Sequence, residues 1–206
     1  MPEPIVIDLS HHNINVDFAR IRAAGIVGVI HKATQGVGFV DPKYRSRKQP
    51  ALDSGLLWGA YHFGTNDDVG EQVNHFLDFV QPDGNFLLAL DFEKNEPSPN
   101  NSMSLQQAKT FLTAVEQKTG QRPVLYTGSY MNEVAGPRAD PDLANYRVWW
   151  ARYSDQPRLH PTWQNYFLWQ YTDGHHGQAT SIPGVGSCDC NAVTIDEVTL
   201  RGIWTA

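Results

Sequence analysis

Apolar runs of strand length alternate with amphipathic segments through the first half of the chain, and this alternation restricts the fold more than any other feature. The apolar runs cover residues 5–10, 27–34, 57–63 and 87–93. Segments with helical spacing follow them, over residues 17–24, 41–55, 66–80 and 104–120. An alternation of this kind predicts parallel strands joined by right-handed crossovers.

The second half of the chain adds strands but few helices. We predict strands over residues 123–127, 147–153 and 166–171, a short strand or strand end over 187–191, and a closing helix over 195–203. About eight strands favour a closed barrel over an open sheet. We therefore predict an α/β fold, an irregular single-domain (β/α) TIM-like barrel that is helix-poor in its second half. No linker or repeat divides residues 1–206, so we expect one domain.

Composition and charge argue against several classes of function. Hydrophobic residues make up 41% of the 206, which is enough for a sizeable core. The formal net charge is −6 and no basic stripe is visible, so we expect no nucleic acid partner. No apolar run is long enough to cross a bilayer, so we expect no membrane anchor. We also expect a monomer and no cofactor.

The two cysteines, Cys188 and Cys190, stand one residue apart. A disulfide between them would close a very small, strained ring, and two thiols without nearby partners do not make a zinc site. We therefore predict free, packed thiols, which favours synthesis in a reducing compartment. Residues 1–4 lead into the first strand without a basic or long apolar segment, so we expect no signal peptide.

Two carboxylates interrupt the apolar run at residues 87–93, at Asp91 and Glu93. Side chains alternate along a strand, so both acids point to one face and Phe92 points to the other. Like charges and burial both raise a carboxyl pKa, and sites that move protons near neutral pH use this arrangement. In the alternative interpretation, the acids cap the next helix or pair with Lys94.

Polar and aromatic side chains also recur where the other predicted strands end. In a parallel barrel the chemistry lies at the carboxyl ends of the strands. We therefore expect one shared site. Its candidate residues are Asp8, Lys32, Tyr61, His62, Asp91, Glu93, Tyr126, Trp150, Arg152, Gln170, Tyr171 and Asp189.

Two other functions remain open on the residues alone. A metal-dependent hydrolase would use imidazoles and carboxylates at strand ends as ligands, although no H-E-x-x-H spacing is present. The candidate ligands are His11, His12, His31, His62, Asp8 and Asp91. A non-catalytic glycan-binding barrel would use the aromatic side chains but would not need a matched pair of acids.

Short motifs along almost the whole chain resemble glycoside hydrolase family 25, the muramidases that cut peptidoglycan. The matching segments are residues 7–12, 30–36, 40–42, 59–63, 90–93, 123–127, 150–153, 169–171 and 189–191. The resemblance implies an irregular (β/α) barrel, and residues 1–206 as a single catalytic domain. It also implies hydrolysis of the β-1,4 bond between N-acetylmuramic acid and N-acetylglucosamine, with the peptidoglycan glycan strand as partner.

The same resemblance implies roles for the four acids. Glu93 corresponds to the general acid, Asp91 would polarise Glu93 or the acetamido group of the sugar, and Asp8 and Asp189 would complete an acidic floor. Both neighbours of Asp189 are Cys, where family members often have hydrophobic residues. The expected substrate-binding residues are Tyr61, Phe63, Tyr126, Trp150, Arg152, Gln170, Tyr171 and Lys32.

The spacing of Asp91 and Glu93 does not fix the mechanism. Side-chain rotamers decide whether two carboxyl groups stand at the separation of a retaining or of an inverting enzyme. We favour a retaining reaction assisted by the acetamido oxygen, with a carboxylate nucleophile or an inverting reaction as alternatives. A muramidase made in the cytoplasm without a signal peptide would reach the cell wall by release or by another export route.

Overall fold

The computed structural model describes residues 5–178 and 180–206, and within them the chain forms eleven β-strands and six α-helices. In chain order the strands are β1 (Val6–Leu9), β2 (Gly28–Gln35), β3 (Phe39–Val40), β4 (Leu57–Phe63), β5 (Leu87–Asp91), β6 (Val124–Thr127), β7 (Val148–Ala151), β8 (Leu168–Thr172), β9 (Ser181–Ile182), β10 (Gly186–Ser187) and β11 (Asp189–Ala192). The helices are α1 (Phe18–Ala23), α2 (Tyr44–Asp53), α3 (Val69–Val80), α4 (Leu105–Thr119), α5 (Ser129–Ala135) and α6 (Glu197–Ile203).

Eight of the strands close into a barrel. The sheet runs β1-β11-β8-β7-β6-β5-β4-β2, and β1 also pairs with β2, which completes the ring. The predicted TIM-like barrel is therefore confirmed. Strands β1, β2 and β4 to β8 run parallel to one another, whereas β11 is antiparallel to both β1 and β8. The barrel is thus irregular where its last strand closes it.

The helices follow the predicted pattern in the first half and thin out in the second. The longest, α4, begins with a capping box in which Ser104 and Gln107 bond each other's backbone N–H groups, and it ends at Gly120 in the left-handed conformation. Residues 152–167 between β7 and β8 contain no α-helix. The seven-residue helix α5 was not predicted, and α2 continues through Pro50.

Side-chain alternation divides the apolar residues into two layers. Val6, Ile30 and Ala89 belong to the cluster inside the barrel, whereas Ile7 and Leu88 pack under the surrounding helices. At the amino-terminal end of the barrel, Trp204 joins the inner cluster and donates an indole N–H to the Trp58 carbonyl at 2.7 Å. The inner apolar layer therefore closes one end of the barrel, and polar side chains are left to line the other.

Candidate active site

The carboxyl ends of the barrel strands enclose an acidic pocket of roughly 190 Å³. Carboxylates, tyrosines, one tryptophan and one amide from seven strands and the residues just beyond them form its walls. The lining residues are Asp8, Tyr61, Asp91, Glu93, Tyr126, Trp149, Tyr153, Gln170 and Asp189. All four acids singled out in the sequence thus meet in one place.

A wider groove of roughly 440 Å³ adjoins the acidic pocket. The two share Glu93, Tyr126 and Tyr153, so they form one continuous cleft. The groove also carries Trp150 and Arg152 and extends over the beginning of α5. A cleft of this shape admits an extended chain on one side of Glu93.

Glu93 lies two residues beyond the end of β5, on the same side as Asp91, as the alternation predicts. The Phe92 N–H donates to the Tyr126 carbonyl at 2.9 Å and continues the ladder past Asp91. Phe92 is fully buried in the outer layer, so Glu93 faces the pocket. Burial raises the pKa of Glu93 to about 7, although the nearby Lys32 ammonium works in the opposite direction. Glu93 therefore keeps its proton in mildly acidic solution.

Asp91 is almost fully enclosed. Only 6% of the residue is exposed, and its Oδ1 atom is buried without a hydrogen-bond partner among the described residues. Burial, reinforced by the charge of Glu93, raises the pKa of Asp91 well above its ordinary value. An unpaired buried oxygen is costly for the ionised carboxylate, which agrees with the raised pKa of Asp91.

Asp8 is held by two buried amides. Its Oδ2 accepts a hydrogen bond from Gln170 Nε2 at 2.9 Å and another from Asn191 Nδ2 at 2.9 Å. Burial raises the pKa of Asp8 to about 7 in spite of these two donors. The half-buried Asp189 has its pKa raised to about 9, chiefly by burial and then by the charge of Asp8. The pocket thus favours carrying protons on several of its acids at neutral pH.

Three predicted substrate-binding residues reach the acidic pocket and two reach only the groove. Tyr61, Tyr126 and Gln170 line the pocket, while Trp150 and Arg152 line the groove. The Gln170 amide is already engaged, because its Oε1 accepts from the Tyr126 hydroxyl at 2.9 Å and from the Tyr153 hydroxyl at 3.0 Å.

Lys32 and Phe63 stand beside the acidic pocket and do not line it. Lys32 Nζ donates to Gln35 Oε1 at 2.7 Å and lies 5.0 Å from the centre of the Phe63 ring. Burial lowers the pKa of Lys32, and the charges of Asp91 and Glu93 oppose that shift. Lys32 is therefore close enough to the acids to influence their protonation.

Tyr171 points away from the cleft. It follows the inward-facing Gln170 on β8, so alternation places it in the outer layer, where it is 1% exposed and packs edge-on against Trp169 at 5.9 Å. The prediction that Tyr171 contacts substrate does not agree with this position. Trp150 also belongs to the outer layer, and its indole donates to the Pro157 carbonyl at 2.7 Å, although it still borders the groove.

Three residues of the site were missed from the sequence. Trp149 and Tyr153 line the acidic pocket, and Asn191 bonds Asp8 from behind it. Asn191 stands two positions after Asp189 on β11, so the period-two rule would have placed both on the same face. For Trp149 the adjacent Trp150 concealed the signal, because only one of two neighbouring tryptophans faces the barrel interior.

Two of the histidines that suggested a metal site, His31 and His62, are turned away from the acids. His31 accepts from Arg47 Nη1 at 3.1 Å through Nε2, so its proton is on Nδ1, which bonds the Lys32 carbonyl at 2.8 Å. His62 bonds Thr34 at 2.7 Å and Gln72 at 3.1 Å in the outer layer. Within residues 5–178 and 180–206, no group of three or more His, Cys, Asp or Glu could hold a metal ion. The side-chain arrangement thus does not support a metal-dependent hydrolase.

A closed (β/α) barrel that gathers carboxylic acids at the carboxyl ends of its strands, one of them protonated near neutral pH, has the architecture of a glycoside hydrolase. The chain belongs to the glycosyl hydrolases family 25, whose sequence model matches residues 7–181. Within the described residues, no helix is long and apolar enough to cross a membrane.

Comparison with individual proteins agrees with this assignment. The chain is 30% identical over 206 residues to the uncharacterized protein YegX of Escherichia coli O157:H7, covering 95% of this chain and 71% of that one. It is 26% identical over 186 residues to the N,O-diacetylmuramidase of Chalaropsis sp, covering 82% and 87%. The structure of the muramidase from Acremonium alcalophilum superposes with a TM-score of 0.80 at 29% identity, covering 96% of each chain.

Proposed function

We propose that this protein is a peptidoglycan hydrolase, a muramidase that cleaves the β-1,4 bond between N-acetylmuramic acid and N-acetylglucosamine. The observation that carries the proposal is Glu93, a half-buried carboxyl with its pKa raised to about 7, at the junction of an acidic pocket and an open groove. The membership in family 25 and the likeness to muramidases support the same substrate.

Glu93 acts as the general acid in this proposal. Its proton passes to the glycosidic oxygen as the bond to the anomeric carbon breaks, so that the leaving sugar departs as an alcohol. A carboxyl with a pKa of about 7 is mostly protonated in mildly acidic solution and releases its proton readily enough to assist bond cleavage. The resulting carboxylate then accepts a proton from the water that completes the reaction.

Asp91 orients the acetamido group of the sugar. Its carboxyl lines the acidic pocket, where it can accept a hydrogen bond from the N–H of an N-acetyl group. Held in this way, the acetamido oxygen attacks the anomeric carbon, and the net result is retention of configuration. An attack by a protein carboxylate, or an inverting attack by water, is the alternative that the product stereochemistry distinguishes.

The remaining residues of the cleft bind the glycan strand. Tyr61 and Tyr126 offer ring surfaces to the sugar in the acidic pocket, and Arg152 and the edge of Trp150 border the path of the strand through the groove. We further propose that the chain acts on the cell wall as one catalytic domain and as a monomer, without a cofactor.

Release of reducing ends from purified peptidoglycan tests this proposal. Wild-type protein should release them, and Glu93→Gln should lose at least about a hundredfold in rate. The matched control is Glu71→Gln, an exposed acid on α3, which should retain wild-type activity. Glu93→Gln should melt no lower than wild type at pH 7, because an ionised carboxyl with a raised pKa costs stability.

Each other candidate function predicts a different result in the same assay. A non-catalytic glycan-binding barrel would bind peptidoglycan without releasing reducing ends, and Glu93→Gln would then change nothing. A metal-dependent hydrolase would lose its activity after treatment with a chelator. Full activity of Glu93→Gln would remove Glu93 from the mechanism.

A further inference from the structure

Only one of the two carboxyl oxygens of Asp8 accepts hydrogen bonds from the described residues. Both hydrogen bonds to the carboxyl end at Oδ2, one from Gln170 and one from Asn191. Oδ1 accepts no hydrogen bond from the described residues, and Asp8 lines the acidic pocket. Hydrogen bonds therefore hold the side chain through Oδ2, and Oδ1 is left to contact the substrate.

Trp149 fixes the orientation of the Asn191 amide. Its indole Nε1 lies 2.5 Å from Asn191 Oδ1, and an indole N–H is only ever a donor. Asn191 Oδ1 must therefore face Trp149, and the NH₂ group must face Asp8 Oδ2 at 2.9 Å and the Val6 carbonyl at 3.2 Å. Asn191 is fully buried, so no water competes for these bonds.

The orientation of Gln170, the second donor to Asp8, is less strictly determined. Gln170 Oε1 accepts from the hydroxyls of Tyr126 and Tyr153, and a hydroxyl is able to donate or accept. A flipped Gln170 would still find partners there, whereas a flipped Asn191 would set an N–H against the Trp149 N–H. The indole thus makes Asn191 the obligatory donor to Asp8.

We propose that Asn191 and Trp149 are positioning residues, which fix the orientation and the proton affinity of the Asp8 carboxyl and so direct Asp8 Oδ1 at the sugar bound next to Glu93. The inference rests on the proposed muramidase activity. An oriented carboxylate at this point stabilises the positive charge that develops on the sugar ring as the glycosidic bond breaks. Neither Asn191 nor the Trp149 N–H needs to touch the substrate to have this effect.

The hydrogen bonds from Asn191 and Gln170 lower the pKa of Asp8, whereas its other surroundings raise that pKa. Burial is the largest of these, and the charges of its neighbours add to it, so the pKa reaches about 7 even with both amides in place. Loss of the Asn191 donor should therefore raise the pKa of Asp8 further. The titratable groups around Asp8 are Asp91, Glu93, Asp189, Tyr61, Tyr126, Tyr153 and Cys190, with Lys32 on the adjacent strand β2.

The test uses Trp149→Phe, which removes the N–H but keeps an aromatic ring, and Asn191→Leu, which removes the donor at similar size. Trp163→Phe is the control, because it removes a buried indole N–H that bonds the Tyr146 carbonyl at 3.0 Å, remote from the acids. Steady-state kinetics on soluble peptidoglycan fragments give kcat and KM. Carbon-13 NMR of labelled aspartate gives the Asp8 titration, assigned by its loss in Asp8→Asn.

We expect kcat to fall at least about tenfold in both variants with KM within about twofold. The Asp8 titration should move upward by about one pH unit, and Trp163→Phe should change neither quantity. An unchanged Asp8 titration in either folded variant would overturn the proposal, as would a loss that appears only in KM. A wild-type protein that releases no reducing ends would instead refute the proposed function, and the Asp8 titration would still report on the hydrogen bonds to Asp8.

Discussion

Asp8 and Asp189 lie directly opposite each other on the antiparallel strands β1 and β11. Facing residues in such a pair have their Cβ atoms about 5 Å apart, and both side chains line the same acidic pocket. Burial raises the pKa of Asp8 to about 7, and burial together with the charge of Asp8 raises the pKa of Asp189 to about 9. The last strand of the barrel therefore places Asp189 opposite Asp8, and both acids hold a proton more tightly than an ordinary aspartate does.

The first prediction is that Asp189→Asn stabilises the protein at neutral pH. The folded pKa of about 9 lies above the unfolded value of about 4. The folded state therefore binds a proton that the unfolded state has lost, and stability falls as pH rises from about 4 to about 9. Asparagine does not titrate, so the variant should gain up to about 4 kcal/mol at pH 7.

Melting temperatures of the two proteins at several pH values check this prediction. The gain should vanish at about pH 3, where aspartate is protonated in both states, and it should grow towards pH 8. The control is Asp78→Asn, an exposed acid on α3, which should shift the melting temperature little at any pH. A variant that melts below wild type at pH 8 would contradict the raised pKa of Asp189.

The second prediction concerns the pH dependence of the reaction. Because Glu93 must be protonated to donate, kcat/KM should fall as pH rises through about 7. The Lys32 ammonium lowers the pKa of Glu93, so Lys32→Met should move this basic limb upward by about one pH unit. Lys118→Met, which removes an exposed ammonium bonded to Asn74, should leave the limb in place. Identical profiles for wild type and Lys32→Met would show that Lys32 does not act on Glu93.

The barrel was predictable because the residues that build it repeat a simple pattern. Each run such as 57–63 is followed by a helix, and this order dictates parallel strands and the location of the site. The way in which the last strand closes the barrel was not predictable from such a pattern. β11 is antiparallel, and the β9–β10 hairpin precedes it. Such short strands carry too few residues to show a period, and their pairing depends on contacts with β1 at the other end of the chain.

The acids of the site were predictable from the sequence, but the residues that pack around them and position them were not. Asp91 and Glu93 interrupt an apolar run, which is visible in the sequence. By contrast, whether Trp149 or Trp150 faces the acids depends on where β7 begins in its pairing with β6, a register that only the assembled sheet fixes. The same uncertainty of one residue explains why Tyr171 was expected in the cleft, while Gln170 is the residue that enters it.

The third prediction is that the first product retains the β configuration at its new reducing end. The position of Asp91 beside Glu93 in the acidic pocket supports an acetamido-assisted reaction, in which two displacements restore the original stereochemistry. Proton NMR of the anomeric signal during the first minutes of hydrolysis distinguishes the anomers. Appearance of the α anomer first would establish an inverting reaction. Asp91→Asn should lose at least about a hundredfold in kcat with the same product anomer.

The fourth prediction is that Arg47→Met destabilises the protein by about 2–4 kcal/mol, because it removes the hydrogen-bond donor of acceptors in the protein interior. Arg47 is 7% exposed, and its guanidinium donates to the Ser10 carbonyl at 2.9 Å, to the Asn13 carbonyl and to His31 Nε2. These bonds hold the loop that follows Asp8, so activity should fall together with stability. Urea unfolding measures the loss. Arg45→Met, on the exposed side of α2, is the control and should cost less than about 1 kcal/mol. Equal losses in the two variants would show that the buried bonds of Arg47 contribute nothing beyond those of a surface arginine.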